Sequence, residues 1–114
     1  MKRHVLTVDL VDDPRRIAEY RRHHQAVWPE VLASLRAIGI RAMDIYALGT
    51  RLVMVMDTDD DFDQEEAFAR HAASAARVAE WETLMRTFQV APPGAAPGEA
   101  WAPMEQVFHL EPGE

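Results

Sequence analysis

Apolar positions along the chain switch between the two spacings that separate strands from helices. His4 to Leu10 is a run of β-branched and apolar residues and predicts a first strand. Val11-Asp12-Asp13-Pro14 then supplies a capping Asp and a Pro suited to a first helical turn. Beyond it Ile17, Tyr20, His24, Trp28, Val31, Leu35 and Ile38 recur at steps of three and four, one helical stripe. Pro29 biases Trp28 away from helical angles, so a kink or break is expected there, and Gly39 ends the helix. Ala42–Leu48 and Arg51–Thr58 read as two strands joined by a Gly49-Thr50 hairpin turn.

Asp59, Asp60 and Asp61 form an acidic turn expected to cap the next helix. That helical region runs from Phe62 to about Phe88, with a break near Ser74 and a stripe of Phe68, Ala72, Ala75, Val78, Trp81, Met85 and Phe88. Ala91–Ala100 is rich in Pro and Gly, and its length suggests a lid or binding loop. Met104–Leu110 reads as a last strand. The order βαββαβ predicts an α+β, ferredoxin-like domain over residues 1–114: an antiparallel sheet with helices on one face. The strands are apolar at both parities, Leu52, Met54 and Met56 against Val53 and Val55. One sheet face therefore lacks cover, and a homodimer with facing sheets is expected.

Composition narrows the chemistry. Twelve Lys and Arg against nineteen Asp and Glu leave a net charge of −7 over 114 residues. Such a surface repels phosphate backbones and anionic lipid, which argues against nucleic-acid and membrane partners. The chain has no cysteine, so thiolate nucleophiles, disulfides and Cys-ligated metals are excluded. The N-terminus reads as a strand and not as a secretory signal, and a cytoplasmic location is the default.

His24 is the most informative single residue, because its stripe turns it toward the sheet. It is either a core histidine with a satisfied hydrogen bond or a general acid/base. His23, about 100° round the helix, is expected to be exposed. Tyr20 and Trp28 flank His24, and Trp81 lies on the second stripe; rings there either fill the core or stack on a polyol. Met43 and Tyr46 point to opposite sheet faces, so only one of them can line a given pocket. The Asp57–Asp63 cluster lacks the EF-hand order of ligands and reads as a solvated turn. His23, His24, His71 and His109 show no metal-ligand spacing, and no phosphate loop or GxSxG turn is present.

Taken in order, Tyr20-Arg-Arg-His-His24, Val27-Trp28-Pro29-Glu30, Met43-Asp-Ile-Tyr46, Trp81-Glu-Thr-Leu-Met85, Pro97-Gly-Glu-Ala-Trp101 and Met104-Glu-Gln-Val-Phe108 resemble the L-rhamnose mutarotase family, including its L-fucose mutarotase-like branch. The resemblance covers nearly the whole chain. It implies a dimeric α/β-barrel isomerase that interconverts the anomers of a 6-deoxy-L-sugar without cofactor or metal. It also implies His24 as proton donor and Tyr20 and Trp81 as sugar contacts; the helical stripe and the strand pattern add Trp28 and Tyr46 as further candidates. The rhamnose enzymes carry a tyrosine where this chain has Met43 and often a Trp pair where it has Trp81-Glu82, so the resemblance leans to L-fucose. The second proton-transfer group stays open between Tyr46, a carboxylate such as Glu105, and water. A non-enzymatic binding module and a cofactor-free oxygenase are the competing readings on the same fold.

Overall fold

A computed structural model describes residues 1–113. Strand β1 (Lys2–Leu10) leads into α1 (Pro14–His24), with Pro14 in its first turn and the Asp13 side chain accepting from the Arg15 N–H. The chain then breaks where Pro29 requires it. Trp28 is extended, at φ −61° and ψ 136°, and α2 (Pro29–Ala37) starts afresh. Gly39 adopts φ +103° at the end of α2, a region that side-chain-bearing residues rarely enter, and turns the chain into β2 (Ile40–Leu48). Gly49, at φ +59°, makes the hairpin turn to β3 (Arg51–Thr58). Two further helices follow, α3 (Gln64–Ala73) and α4 (Ala76–Arg86), separated at Ser74 as the pattern predicts.

The acidic turn behaves differently from expectation. The residue that caps α3 is Asp63, which accepts from the Glu66 N–H at 3.2 Å. Asp57, Asp59 and Asp60 instead pair with Arg3, Arg41 and the N-terminal ammonium. Each carboxylate thus has a local cation or backbone donor. The second stripe also needs correction. The break at Ser74 resets the helical phase, so α3 buries Ala67 and His71 in place of Phe68 and Ala72, while α4 keeps Val78, Trp81 and Met85.

The sheet is antiparallel in the order β2-β3-β1-β4, the ferredoxin-like arrangement. The expected last strand, Met104–Leu110, does not form. The free edge of β1 is taken by two short pieces on either side of the Pro/Gly loop, β4 (Gln89–Val90) and β5 (Ala102–Pro103). Met104 adds one bond to the Val5 carbonyl, and beyond it the chain runs past the sheet edge. Val107, Phe108 and Leu110 are left exposed.

All four helices cover one sheet face. Leu6, Val8, Leu10, Leu52, Met54 and Met56 point into that layer and are buried. Each such side chain withdrawn from water contributes about 1.5–3 kcal/mol. On the opposite face Val5, Val53 and Val55 are only half covered, and Tyr46 and Leu48 stand 62% and 83% exposed. Among the described residues, no helix is long and apolar enough to cross a membrane.

Candidate functional site

Between the helices and the covered face of the sheet lies an open cleft of about 1170 Å³. Three of the residues singled out by pattern meet on its wall: Tyr20 and His24 from α1 and Trp81 from α4. Tyr20 and His24 lie one turn apart on α1, and their rings stack at 4.2 Å between centroids. The Trp81 ring meets His24 edge-on at 5.5 Å. This wall is firm, because the Tyr20 ring also packs edge-on against the buried Phe88 at 5.9 Å.

The imidazole of His24 is oriented by its own helix. Nδ1 lies 2.9 Å from the Tyr20 carbonyl oxygen, an atom that can only accept, so Nδ1 carries the hydrogen. Nε2 has no partner among the described residues. Since no buried side-chain nitrogen or oxygen is left unbonded, Nε2 opens to the cleft. Burial pushes the imidazole below its ordinary pKa of 6.5; the Tyr20 carbonyl opposes that shift and neighbouring His23 adds to it. The Tyr20 phenol is pushed up by burial, moderated by a hydrogen bond with Gln89 and reinforced by the charge of Glu82.

Trp28 and Tyr46 are not brought to this cleft. Trp28 packs edge-on against Trp81 at 5.1 Å, and the Arg77 guanidinium covers its ring at 3.7 Å. It therefore buttresses Trp81 from behind. Tyr46 points out of the opposite, uncovered sheet face, and of the two β2 candidates it is Met43 that lines the cleft. Glu105 sits in the exposed segment after β5, also away from the cleft. His23 is not exposed as its position on the helix suggested. It is half buried, because Phe88 and Trp81 reach its ring at 5.8 and 6.2 Å.

Two cleft residues escaped the pattern reading, His71 and Glu82. His71 is fully buried at the end of α3. Its Nε2 lies 3.0 Å from Glu82 Oε1, and its Nδ1 lies 2.7 Å from Ser34 Oγ on α2. Ser74 Oγ lies 3.1 Å from Ser34 Oγ and donates to the His71 carbonyl. A carboxylate only accepts, so Nε2 carries the hydrogen toward Glu82, while Nδ1 is held by its bond with the Ser34 hydroxyl. His71 thereby ties three helices together. The only trace of this in the sequence is a histidine four residues after Ala67, visible once the break at Ser74 resets the helical phase.

The Pro/Gly loop closes one end of the cleft with Ala96, Pro97, Gly98, Glu99 and Trp101. It consists of two tight turns, each with Pro followed by a Gly at positive φ, +89° at Gly94 and +82° at Gly98. The Glu99 side chain accepts from the Ala96 N–H at 2.9 Å and fastens the second turn.

Comparison with known proteins gives a consistent result. The sequence profile described as L-rhamnose mutarotase matches residues 3–110. An L-fucose mutarotase of Xanthomonas campestris pv. campestris is 45% identical over 112 residues, covering 96% of this chain and 89% of that protein. An L-rhamnose mutarotase of Acidiphilium cryptum is 31% identical, covering 86% of this chain and 89% of its own length. In three dimensions the crystal structure of an L-rhamnose mutarotase from Formosa agariphila superposes with a TM-score of 0.69 over 97% of this chain and all of that one. At 20% identity this likeness speaks for the fold.

Proposed function

The chain belongs to the L-rhamnose mutarotase family and is an anomer-interconverting isomerase, and from that premise we propose that its substrate is a 6-deoxy-L-hexopyranose, L-fucose in preference to L-rhamnose. The observation that carries the reading is His24. It is a histidine fixed through Nδ1, with Nε2 open to a cleft walled by Tyr20 and Trp81. The preference rests on two supports. The 45% identical relative is an L-fucose mutarotase. Met43 and Glu82, the two positions where the chain departs from the rhamnose pattern, both line the cleft and so stand where hydroxyl patterns are read.

Mutarotation opens the pyranose to the aldehyde and recloses it on the other carbonyl face. The step needs one proton delivered to the ring oxygen and one withdrawn from the anomeric hydroxyl. His24 delivers the first as the imidazolium, through Nε2, and takes it back on reclosure. Burial that lowers its proton affinity makes it a stronger acid. A positioned acid or base is typically worth about 10²–10⁴ in rate. Trp81 and Tyr20, packed into the cleft wall beside His24, give the sugar an apolar surface to rest on and keep water from the open chain.

The same reading makes the working unit a homodimer. Its support is the uncovered sheet face of Val5, Val53, Val55, Tyr46 and Leu48, together with the exposed Val107, Phe108 and Leu110. Exposed large apolar side chains on a sheet face are a common mark of an interface between subunits.

The test is NMR exchange spectroscopy on the α and β anomers of L-fucose and L-rhamnose with added protein. Exchange faster for fucose, and lost in His24→Ala without loss of the fold, is the expected result. Line broadening without anomer exchange would indicate a binding module. Unchanged exchange in His24→Ala would remove His24 from the mechanism.

A further inference from the structure

The structure assigns a second proton-transfer group to Glu82, the base that takes the anomeric proton while His24 serves the ring oxygen; this assignment rests on the mutarotase reading above. Glu82 stands next to Trp81 on α4, on the wall of the same cleft as His24. Its Oε1 is held by His71 at 3.0 Å, while Oε2 has no partner among the described residues on a side chain still 32% exposed. The carboxylate is thus fixed through one oxygen and open through the other. His24 has the same design: one ring nitrogen fixed, the other open to the cleft.

Glu82 lies near enough to Tyr20 for its charge to help raise the phenol, and both line the cleft. Tyr20 is the residue whose backbone carbonyl orients His24. Glu82 and His24 therefore border one space from α4 and α1. Tyr46 and Glu105, the side chains considered for this role from sequence, both lie outside it.

His71 is a positioning residue. It is buried, touches Glu82 with Nε2–H and is itself aligned by the Ser34 hydroxyl. A surface carboxylate would sample several rotamers; this one is anchored through a chain that crosses α4, α3 and α2. Such support holds an acid/base group within reach of its proton.

The proton balance closes without any further reagent. In ring opening, Nε2–H of the His24 imidazolium protonates the ring oxygen as the bond from it to the anomeric carbon breaks. Glu82 Oε2 takes the anomeric hydroxyl proton as the carbonyl forms. The pair passes from imidazolium and carboxylate to imidazole and carboxylic acid. After rotation about the bond between the first two carbons, reclosure returns the ring-hydroxyl proton to His24 and the carboxyl proton to the new anomeric oxygen. One proton shared by two groups suffices for both anomers.

The experiment measures L-fucose affinity and the saturated exchange rate by NMR on the full chain, for wild type, Glu82→Gln and Glu82→Ala. The Gln amide oxygen can still accept from His71 Nε2, so Glu82→Gln preserves the anchoring bond. Its saturated exchange is expected to fall by roughly 10²–10⁴ with affinity retained. Added formate is expected to restore exchange in Glu82→Ala, which a structural role for Glu82 would not allow. Wild-type saturated exchange in Glu82→Gln, or weakened affinity alone, overturns the assignment, and so does a Glu82→Ala protein indifferent to formate. Wild-type protein that accelerates no 6-deoxy sugar defeats the mutarotase reading itself, whereas active wild type with active Glu82→Gln defeats only the role of Glu82.

Discussion

His24 Nδ1 lies 2.9 Å from the carbonyl oxygen of Tyr20, one turn back in the same helix. This bond fixes both the ring's direction and its tautomer: Nδ1 must carry the hydrogen, so protonation and deprotonation occur at Nε2, on the cleft side. The ring at the end of α1 is thereby oriented without help from a second side chain, as the proposed role of His24 requires.

A pH dependence with a definite sign follows from the depressed pKa of His24. Its ring signals are expected to titrate below 6.5 in the folded protein. Between that value and 6.5 the unfolded chain binds more protons than the folded one. Stability from this group is therefore full above pH 6.5 and lost as pH falls through the folded pKa. His24→Gln should flatten that part of the curve of unfolding free energy against pH. In the proposed mechanism the imidazolium is the donor, so exchange at subsaturating sugar, which reports the free protein, should decline on an alkaline limb centred below pH 6.5. A limb above 6.5 would contradict the assignment. The groups around His24 are His23, Tyr20 and Trp81, and Glu82 lines the same cleft.

The buried chain from Ser34 through His71 should carry stability as well as position. His71→Ala removes a fully buried ring and strips partners from Ser34 and Glu82, at an expected cost of roughly 2–4 kcal/mol. Ser34→Ala keeps the His71 ring in place and removes one partner each from His71 Nδ1 and Ser74 Oγ, and should cost about 1–2 kcal/mol. Urea midpoints of the two variants would check the order; equal midpoints would mean the chain does not share load as described.

Gly39→Ala tests the turn into β2. The residue sits at φ +103°, and an added methyl would meet Asp59 Oδ2 at 3.2 Å. Backbone strain of about 1–2 kcal/mol is expected, read as a lower thermal midpoint with L-fucose exchange at 25 °C unchanged.

The uncovered sheet face predicts the effect of a charge placed on it. Val53 and Val55 lie half exposed near the middle of that face. Val55→Glu should convert a dimer to a monomer in light scattering, while a charge at exposed Arg36 on the helical side, as Arg36→Glu, should leave the mass unchanged. A monomeric wild-type protein would remove the dimer from the proposed function.

The loop between β4 and β5 should be protected by sugar. Its second turn, at Gly98, borders the cleft, and Trp101 lines it as well. Limited proteolysis within residues 91–100 is expected to slow on adding L-fucose. Cleavage at the same rate with and without sugar would show that the loop does not close.

Much of this was legible in the chain itself because it depends on local physics. Pro29 and the break at Ser74 divide the helices, Gly49 turns the hairpin, and the stripe of α1 carries Tyr20 and His24 to one wall. The last strand was misplaced for a non-local reason. Met104–Leu110 has strand composition, but the edge of β1 accepts whichever segment the loop delivers, and those are Gln89–Val90 and Ala102–Pro103.

What the sequence determined by itself was the order of elements as far as α4, the family, and the presence of a histidine able to exchange protons. Periodicity reports which face of a helix is buried, but not what lies opposite it. Only the tertiary structure decided that Trp28 supports Trp81 from behind, that Tyr46 faces away, and that His71 holds Glu82 in the cleft. Those contacts join residues from separate helices and strands. They depend on how α2, α3 and α4 pack over the sheet, a relationship that no spacing within one element encodes.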